Sequence, residues 1–131
     1  TFSRLLLQVM SCIEASLAAA AEQNRRAACY WHQSSDVDGR FDPATISISA
    51  LDRLVRGVGR PYPGAWAKVG ADVLRLFAVR RSEVDFRGTP GRIVTLRGHK
   101  PIVILHDGSL QILDYELAGV PHGLRNGMLL E

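Results

Sequence analysis

The pattern of apolar and polar positions divides the chain into a helical front and a strand-rich back. Near the start, Leu6, Met10, Ile13 and Leu17 recur at helical spacing and line one face. They predict a helix over residues 4–25, with Ser3 as N-cap and Asn24, Arg25 and Arg26 closing it. Ala18 to Ala21 add helix propensity. Leu5, Leu7 and Val9 widen the apolar surface, so this helix asks for cover on more than one side. Residues 27–33 are rich in aromatic and small apolar groups and read as a strand. The stretch 34–43 is polar, with Asp38-Gly39 as a turn signature. A second helix runs from Ser47 or Ser49 to Val58, with Ile48, Leu51, Leu54, Val55 and Val58 on one face. Ser49 and Asp52 resemble a capping box, and Gly57, Gly59 and Pro61 end the helix.

Short strands then follow at 65–69, 73–81, 92–97, 101–106 and 109–117. In the second, Val73, Arg75, Phe77 and Val79 share one face, and Leu74, Leu76 and Ala78 the other. Gly88 to Gly91 reads as a tight turn, and Asp107-Gly108 is the strongest hairpin signal. The fold class expected is α+β: an N-terminal helix and a linker helix leading into a small five-stranded antiparallel OB-like barrel. The glycine-rich tail over 118–131 carries no clear element.

Composition adds few constraints. The chain has 131 residues, 47% hydrophobic and 22% charged, with a net charge of +3. Those values fit one packed globular domain of ordinary size. The basic residues are dispersed, so nucleic-acid binding is allowed but not demanded. No targeting or membrane-spanning segment is visible. Cys12 and Cys29 form no Cys-x-x-Cys and read as reduced core thiols of a cytoplasmic protein.

The chemistry-bearing residues do not assemble into a catalytic set. His32, His99, His106 and His122 share no metal-ligand spacing, so no metal site is expected. His99 and His122 fall in turn or tail contexts, and His106 ends a strand. Asp36, Asp38 and Asp42 lack the closing Glu of a calcium loop. Gly57-Val-Gly59 and Gly88 to Gly91 do not follow the strand-to-helix pattern of a phosphate loop, and no Gly-x-Ser-x-Gly is present. Trp31, Trp66, Phe77 and Tyr115 could offer stacking faces but suit core packing better. Tyr30, Trp31 and His32 remain the candidate substrate-facing group.

One motif goes further. Arg56-Gly-Val-Gly-Arg-Pro-Tyr-Pro-Gly-Ala65 follows a helix ending Leu54-Val55-Arg56. It resembles the linker-to-barrel junction of the folate-dependent formyltransferases, a group including methionyl-tRNA formyltransferase and sugar-nucleotide N-formyltransferases. Ala28 to Trp31 with Asp38 to Asp42, Gly88 to Ile93, and Val103 to Ile112 fall in the family's order. The resemblance spans roughly residues 4–117. It makes Arg56, Arg60, Pro61, Tyr62, Pro63, Gly64 and Ala65 a domain-joint motif. Pro61 and Pro63 fix φ and remove two amide donors, and Gly64 permits a bend.

By this resemblance residues 1–26 would be the last helix of a Rossmann-like core, 27–60 a connector with its helix, and 61–131 the C-terminal barrel domain. The chain opens on Thr1 rather than Met and reads as a fragment. The family transfers a formyl group from 10-formyltetrahydrofolate to an amine, using an Asn, a His and an Asp of the N-terminal domain. No catalytic or cofactor-binding residue is therefore expected in this segment, which would be inactive alone. The implied partner is that N-terminal domain, with homodimerisation also open. The short tail, the dispersed basic residues and Phe41-Asp42-Pro43 favour a nucleotide-sugar substrate over tRNA. Two other readings stay open: a non-catalytic interaction barrel, and a stand-alone enzyme built on His32, Asp38 and Arg60.

Overall fold

A computed structural model describes residues 2–118 and 123–131. The chain divides into two compact units, Thr1–Gln33 and Ser34–Glu131.

In the first unit the single long helix expected over 4–25 is broken. Helix α1 spans Phe2–Ser11 and α2 spans Ile13–Ala18. Ser3 lies inside α1 rather than capping it. At Cys12 the backbone leaves the helical region (φ −141°, ψ 50°). The cause is local competition: Ser11 Oγ and Cys12 Sγ both donate to the Gln8 carbonyl, at 2.9 and 3.1 Å. Beyond Ala18, alanine propensity does not extend the helix. Short helices without tertiary cover are marginal, and apart from half-buried Ser16 every described residue of this unit is exposed. Cys12 and Cys29 are exposed as well, not core thiols. Residues 27–33 form no strand. Asn24 Oδ1 accepts from Arg26 N at 3.1 Å and starts a single 3-10 turn over Arg25–Ala27 instead.

The second unit holds helix α3 (Ile48–Val58) and strands β1 (Ala65–Val69), β2 (Asp72–Arg81), β3 (Ile93–Val94), β4 (Ile102–Leu105) and β5 (Gly108–Leu117). The expected α+β class and five-stranded antiparallel sheet are observed, in the order β1-β2-β5-β4-β3. Asp107-Gly108 makes the β4–β5 hairpin, with Leu105 opposite Gly108. Leu51 and Val55 of α3 pack with Leu74, Leu76, Ile93, Val103, Leu110 and Ile112 in the core. The strand alternation holds for Leu74 and Leu76. The register then shifts on both sides of Ala78, and Val79 turns inward to the core rather than staying with Phe77. A bulge reverses the parity of the residues after it.

Helix α3 is capped differently from the sequence expectation. Ser47 Oγ, not Ser49, accepts from Ala50 N at 3.2 Å. Both carboxylate oxygens of Asp107 accept from Ile48 N, at 2.9 and 3.1 Å. Asp52 pairs with Arg56 one turn on.

The tail closes the barrel. Gly127 N donates to Ile93 O, Ile93 N to Met128 O, and Leu130 N to Gly91 O. On its other side Lys68 and Glu131 exchange backbone hydrogen bonds at 2.8 Å each way. The segment from Gly127 to Glu131 thus lies between β3 and β1, the two edges of the sheet, and its Leu130 is buried in the core. Among the described residues no helix is long and apolar enough to cross a membrane.

Leu130 therefore both fills the core and holds the closing segment. Leu130→Ala is expected to lower the unfolding free energy by about 2–4 kcal/mol, measured by urea denaturation; a loss within the scatter of surface substitutions would show that closure does not depend on it.

Candidate functional site at the domain joint

The joint starts where α3 runs out of helix-compatible residues. Gly59 has an extended backbone (φ −64°, ψ 175°), and Tyr62 N donates to Gly59 O at 2.9 Å. Gly64 N donates to Val58 O, folding the motif back on the helix end. Gly64 adopts φ +85°, and a Cβ there would lie 2.8 Å from a carbon of the Phe77 ring and 3.0 Å from Leu76 O. Gly39 meets it from the connector: a Cβ on Gly39 would lie 2.9 Å from Gly64 O. Two glycines thus let connector and joint approach backbone to backbone.

Two arginines fix this approach. Arg75 of β2 makes a two-pronged pair with Asp36 (Nη1–Oδ1 2.8 Å, Nη2–Oδ2 3.0 Å) and also donates to Pro63 O at 3.1 Å. Trp66 Nε1 donates to Asp36 O at 2.7 Å, and Phe41 N donates to Trp66 O. Arg60 stacks its guanidinium 4.1 Å from the Phe77 ring centre and reaches Glu116 at 2.6 Å and Asp114 at 3.7 Å. The hydrogen bonds from Arg75 hold the Asp36 carboxyl below the usual carboxylate range, against a smaller opposing effect of desolvation. Hydrogen bonding to Glu116 raises Arg60, and hydrogen bonding to Asp36 raises Arg75.

Beside these groups lies a half-open, largely apolar cavity of about 140 Å³, lined by Ser35, Asp36, Val58, Tyr62, Pro63 and Gly64 among others. Of the joint residues, Pro61, Tyr62 and Pro63 are exposed, Gly64 and Ala65 are buried, and Arg56 pairs with Asp52. Tyr30, Trp31 and His32 belong to the first unit, in irregular chain; Tyr30 and Trp31 are 94% and 87% exposed. Trp66, Phe77 and Tyr115 lie half-buried in the second unit. A larger hollow of about 800 Å³ beside Tyr30 has only exposed residues as walls and offers no pre-formed site.

The aspartates of the connector are all used internally. Asp36 holds Arg75, Asp38 accepts from Ser35 N, and Asp42 accepts from Ala44 N. Among the described residues no group of three or more His, Cys, Asp or Glu could hold a metal ion. His99 and His106 are exposed, and His122 lies outside the described residues. The arrangement provides rigidity and charge neutralisation at the joint. It brings together no nucleophile, base and orienting group.

The sequence reading missed Asp36, Arg75, Phe77, Asp114 and Glu116 as joint residues. One signal was available: strand alternation places Arg75 and Phe77 on the same outward face of β2. Asp36 lies 39 positions from Arg75, and Glu116 56 positions from Arg60, which no local pattern reveals.

Gly64→Ala is expected to cost more than about 1 kcal/mol, since it adds both a forbidden φ and a contact with Phe77; equal urea midpoints for the two proteins would refute this. Because the folded pKa of Asp36 is depressed, its contribution is present above the ordinary carboxylate pKa. That contribution is lost as pH falls through the lower folded value. Asp36→Asn should therefore lose stability less steeply on acidification from about pH 5 to about pH 2, and parallel pH profiles would rule the pair out as a stabilising contact.

The domain description "Formyl transferase, C-terminal domain" matches residues 36–121. The matched segment takes in the connector turn, α3, the joint and all five strands. With a joint followed by a closed barrel over the same residues, the chain belongs to the formyl transferase C-terminal domain family.

Proposed function

We propose that this chain is the C-terminal part of a 10-formyltetrahydrofolate-dependent formyltransferase that acts in the cytoplasm on the amine of a nucleotide-linked amino sugar. The chemistry would belong to an N-terminal Rossmann-like domain of the same protein, and the cofactor would bind there. The present segment would hold that domain through the joint. Residues 1–26, 27–60 and 61–131 would be, in turn, the last helix of that core, the connector and the barrel domain. Tyr30, Trp31 and His32 would face the substrate.

The observation that carries the choice of substrate is that the arginines at and beside the joint, with Arg87, are held in internal ion pairs. Arg56 pairs with Asp52, Arg60 with Glu116 and Asp114, Arg75 with Asp36, and Arg87 with Asp85. Binding to a polyphosphate backbone needs several free cations acting together, and it weakens steeply with salt. Guanidinium groups already neutralised by carboxylates contribute little to such a field. A small-molecule acceptor makes no such demand on the barrel.

The test has two arms. Protein carrying the preceding domain is assayed for formyl transfer from 10-formyltetrahydrofolate to a nucleotide-linked amino sugar and to methionyl-tRNA. The 131-residue chain is assayed alone for transfer and for tRNA binding across a salt series. Sugar formylation by the longer protein, no transfer by the chain alone, and tRNA binding no tighter than about 10 μM are expected. Formylation of methionyl-tRNA, or tight tRNA binding with a steep salt slope, would replace this reading with the tRNA one.

A further inference from the structure

The outer face of the sheet carries a second feature unrelated to the joint. Ile102 and Ile104 are buried, yet they lie outside the main core cluster. Gly88 approaches Ile104: a Cβ there would lie 3.5 Å from the Ile104 δ-methyl carbon. The segment 82–88 is pinned by Ser109 of β5. Ser82 N donates to Ser109 O, Phe86 N donates to Ser109 Oγ at 3.1 Å, and Ser109 Oγ donates to Val84 O at 3.2 Å. Ser109 is itself buried, so this wall is fixed by a desolvated hydroxyl with both its donor and acceptor satisfied.

Opposite stands the β3–β4 turn. His99 N donates to Leu96 O at 3.0 Å, Thr95 N donates to Asn126 Oδ1 at 3.1 Å, and Ile112 N donates to Pro101 O at 2.8 Å. Between the two walls is a cleft of about 220 Å³ with Ile102 among its lining residues. Val84, Phe86 and Leu96 give it apolar sides, and Arg80, Ser82, Glu83, His99 and Gln111 give it a polar rim. Val84 is 60% exposed and Leu96 45% exposed at its lips, which nothing in the folding of the barrel requires.

The rim carries charge of both signs, with Arg80 the more firmly placed. Arg80 Nε donates to Gln111 Oε1 at 2.7 Å, which sets the direction of its guanidinium. Its Nη2 makes a long ion pair with Glu83 at 3.9 Å, beyond hydrogen-bonding distance, and the Glu83 side chain is almost fully exposed, so the pair is weak. Arg97 and Lys100 flank His99 in the same turn, and Arg81 follows Arg80. An arginine aimed by an amide and holding only a long, exposed pair with Glu83, beside an apolar slot, matches a ligand with a flat apolar body and one anionic end that displaces that pair. The volume sets the size: drug-sized pockets hold about 300 Å³ or more, so this cleft suits a single ring system.

We propose that this cleft binds a small anion carrying a planar ring, with the ring between Phe86 and Leu96 and the anionic group on Arg80 and His99. An aryl carboxylate and the base-and-phosphate of a mononucleotide share this chemistry. The proposal stands apart from the formyl-transfer reading, because it uses none of the joint residues.

The test is titration of the labelled chain with benzoate and with AMP, followed by amide shifts, with benzyl alcohol and acetate as controls lacking the charge or the ring. Saturable shifts centred on Val84, Phe86, Leu96, His99 and Gln111 are expected. The controls should bind about tenfold more weakly, a difference of about 1.4 kcal/mol. Binding by benzoate alone identifies an aryl carboxylate site, and binding by AMP alone a nucleotide site. Arg80→Met, which keeps the stem and removes the charge, should weaken binding about tenfold. Leu96→Asp changes an exposed side chain and should abolish anion binding while leaving the remaining amide shifts unchanged. No saturation by either anion below about 10 mM, shifts centred elsewhere, equal binding of benzyl alcohol, or full binding by Leu96→Asp would each overturn the proposal.

Discussion

A five-stranded antiparallel sheet of this length has two edges, and each edge exposes backbone donors and acceptors that must find partners. That requirement organises the second unit. The β3 edge is met by Gly127 to Leu130, and the β1 edge by Glu131 at Lys68. Further along β1, Trp66 is met by Arg40 and Phe41 of the connector. The same strand therefore receives the tail at one end and the connector at the other. Once the connector is held against β1, the Asp36 carboxylate comes within reach of Arg75, and α3 is set over the core. The joint is a consequence of edge satisfaction rather than a separate device.

The parts of this fold that were legible in the sequence are those set by neighbours a few residues apart. The apolar face of α3, the β4–β5 hairpin at Asp107-Gly108 and the alternation through Leu74 and Leu76 all depend on local periodicity. The parts that were not legible depend on partners far along the chain or on competition at single carbonyls. Gln8's carbonyl, taken by two side chains, broke a helix that its apolar spacing favoured. Residues 27–33 have strand-like composition, but their unit holds no strand among the described residues. The bulge at Ala78 turned Val79 inward without any glycine to mark it. The tail has no periodicity, because its role is to supply backbone to two edges.

The turn after α3 was legible as a motif, but the contacts that hold it were not. Proline, glycine and the end of α3 marked where the chain changes direction. Of the groups that hold that direction, alternation pairs Arg75 with Phe77 on one face, but nothing local links them to Asp36 or Glu116. Their arrangement also shapes what the barrel can do. Arginines locked in ion pairs stabilise an angle but are poor at recruiting an anion. The outer cleft differs: the Arg80 guanidinium is aimed by an amide and holds only a long, exposed pair with Glu83.

Asp107 has a consequence for the order of assembly. Helix α3 has only 11 residues, a length at which an isolated helix is marginal in water. One of its first amide donors is satisfied by a carboxylate 59 positions downstream, on the turn of the β4–β5 hairpin. During synthesis α3 therefore emerges well before the group that caps it. Loop closure of that span must precede full stabilisation of the helix. The turn of a later hairpin thus secures the start of an earlier helix, alongside the local cap from Ser47.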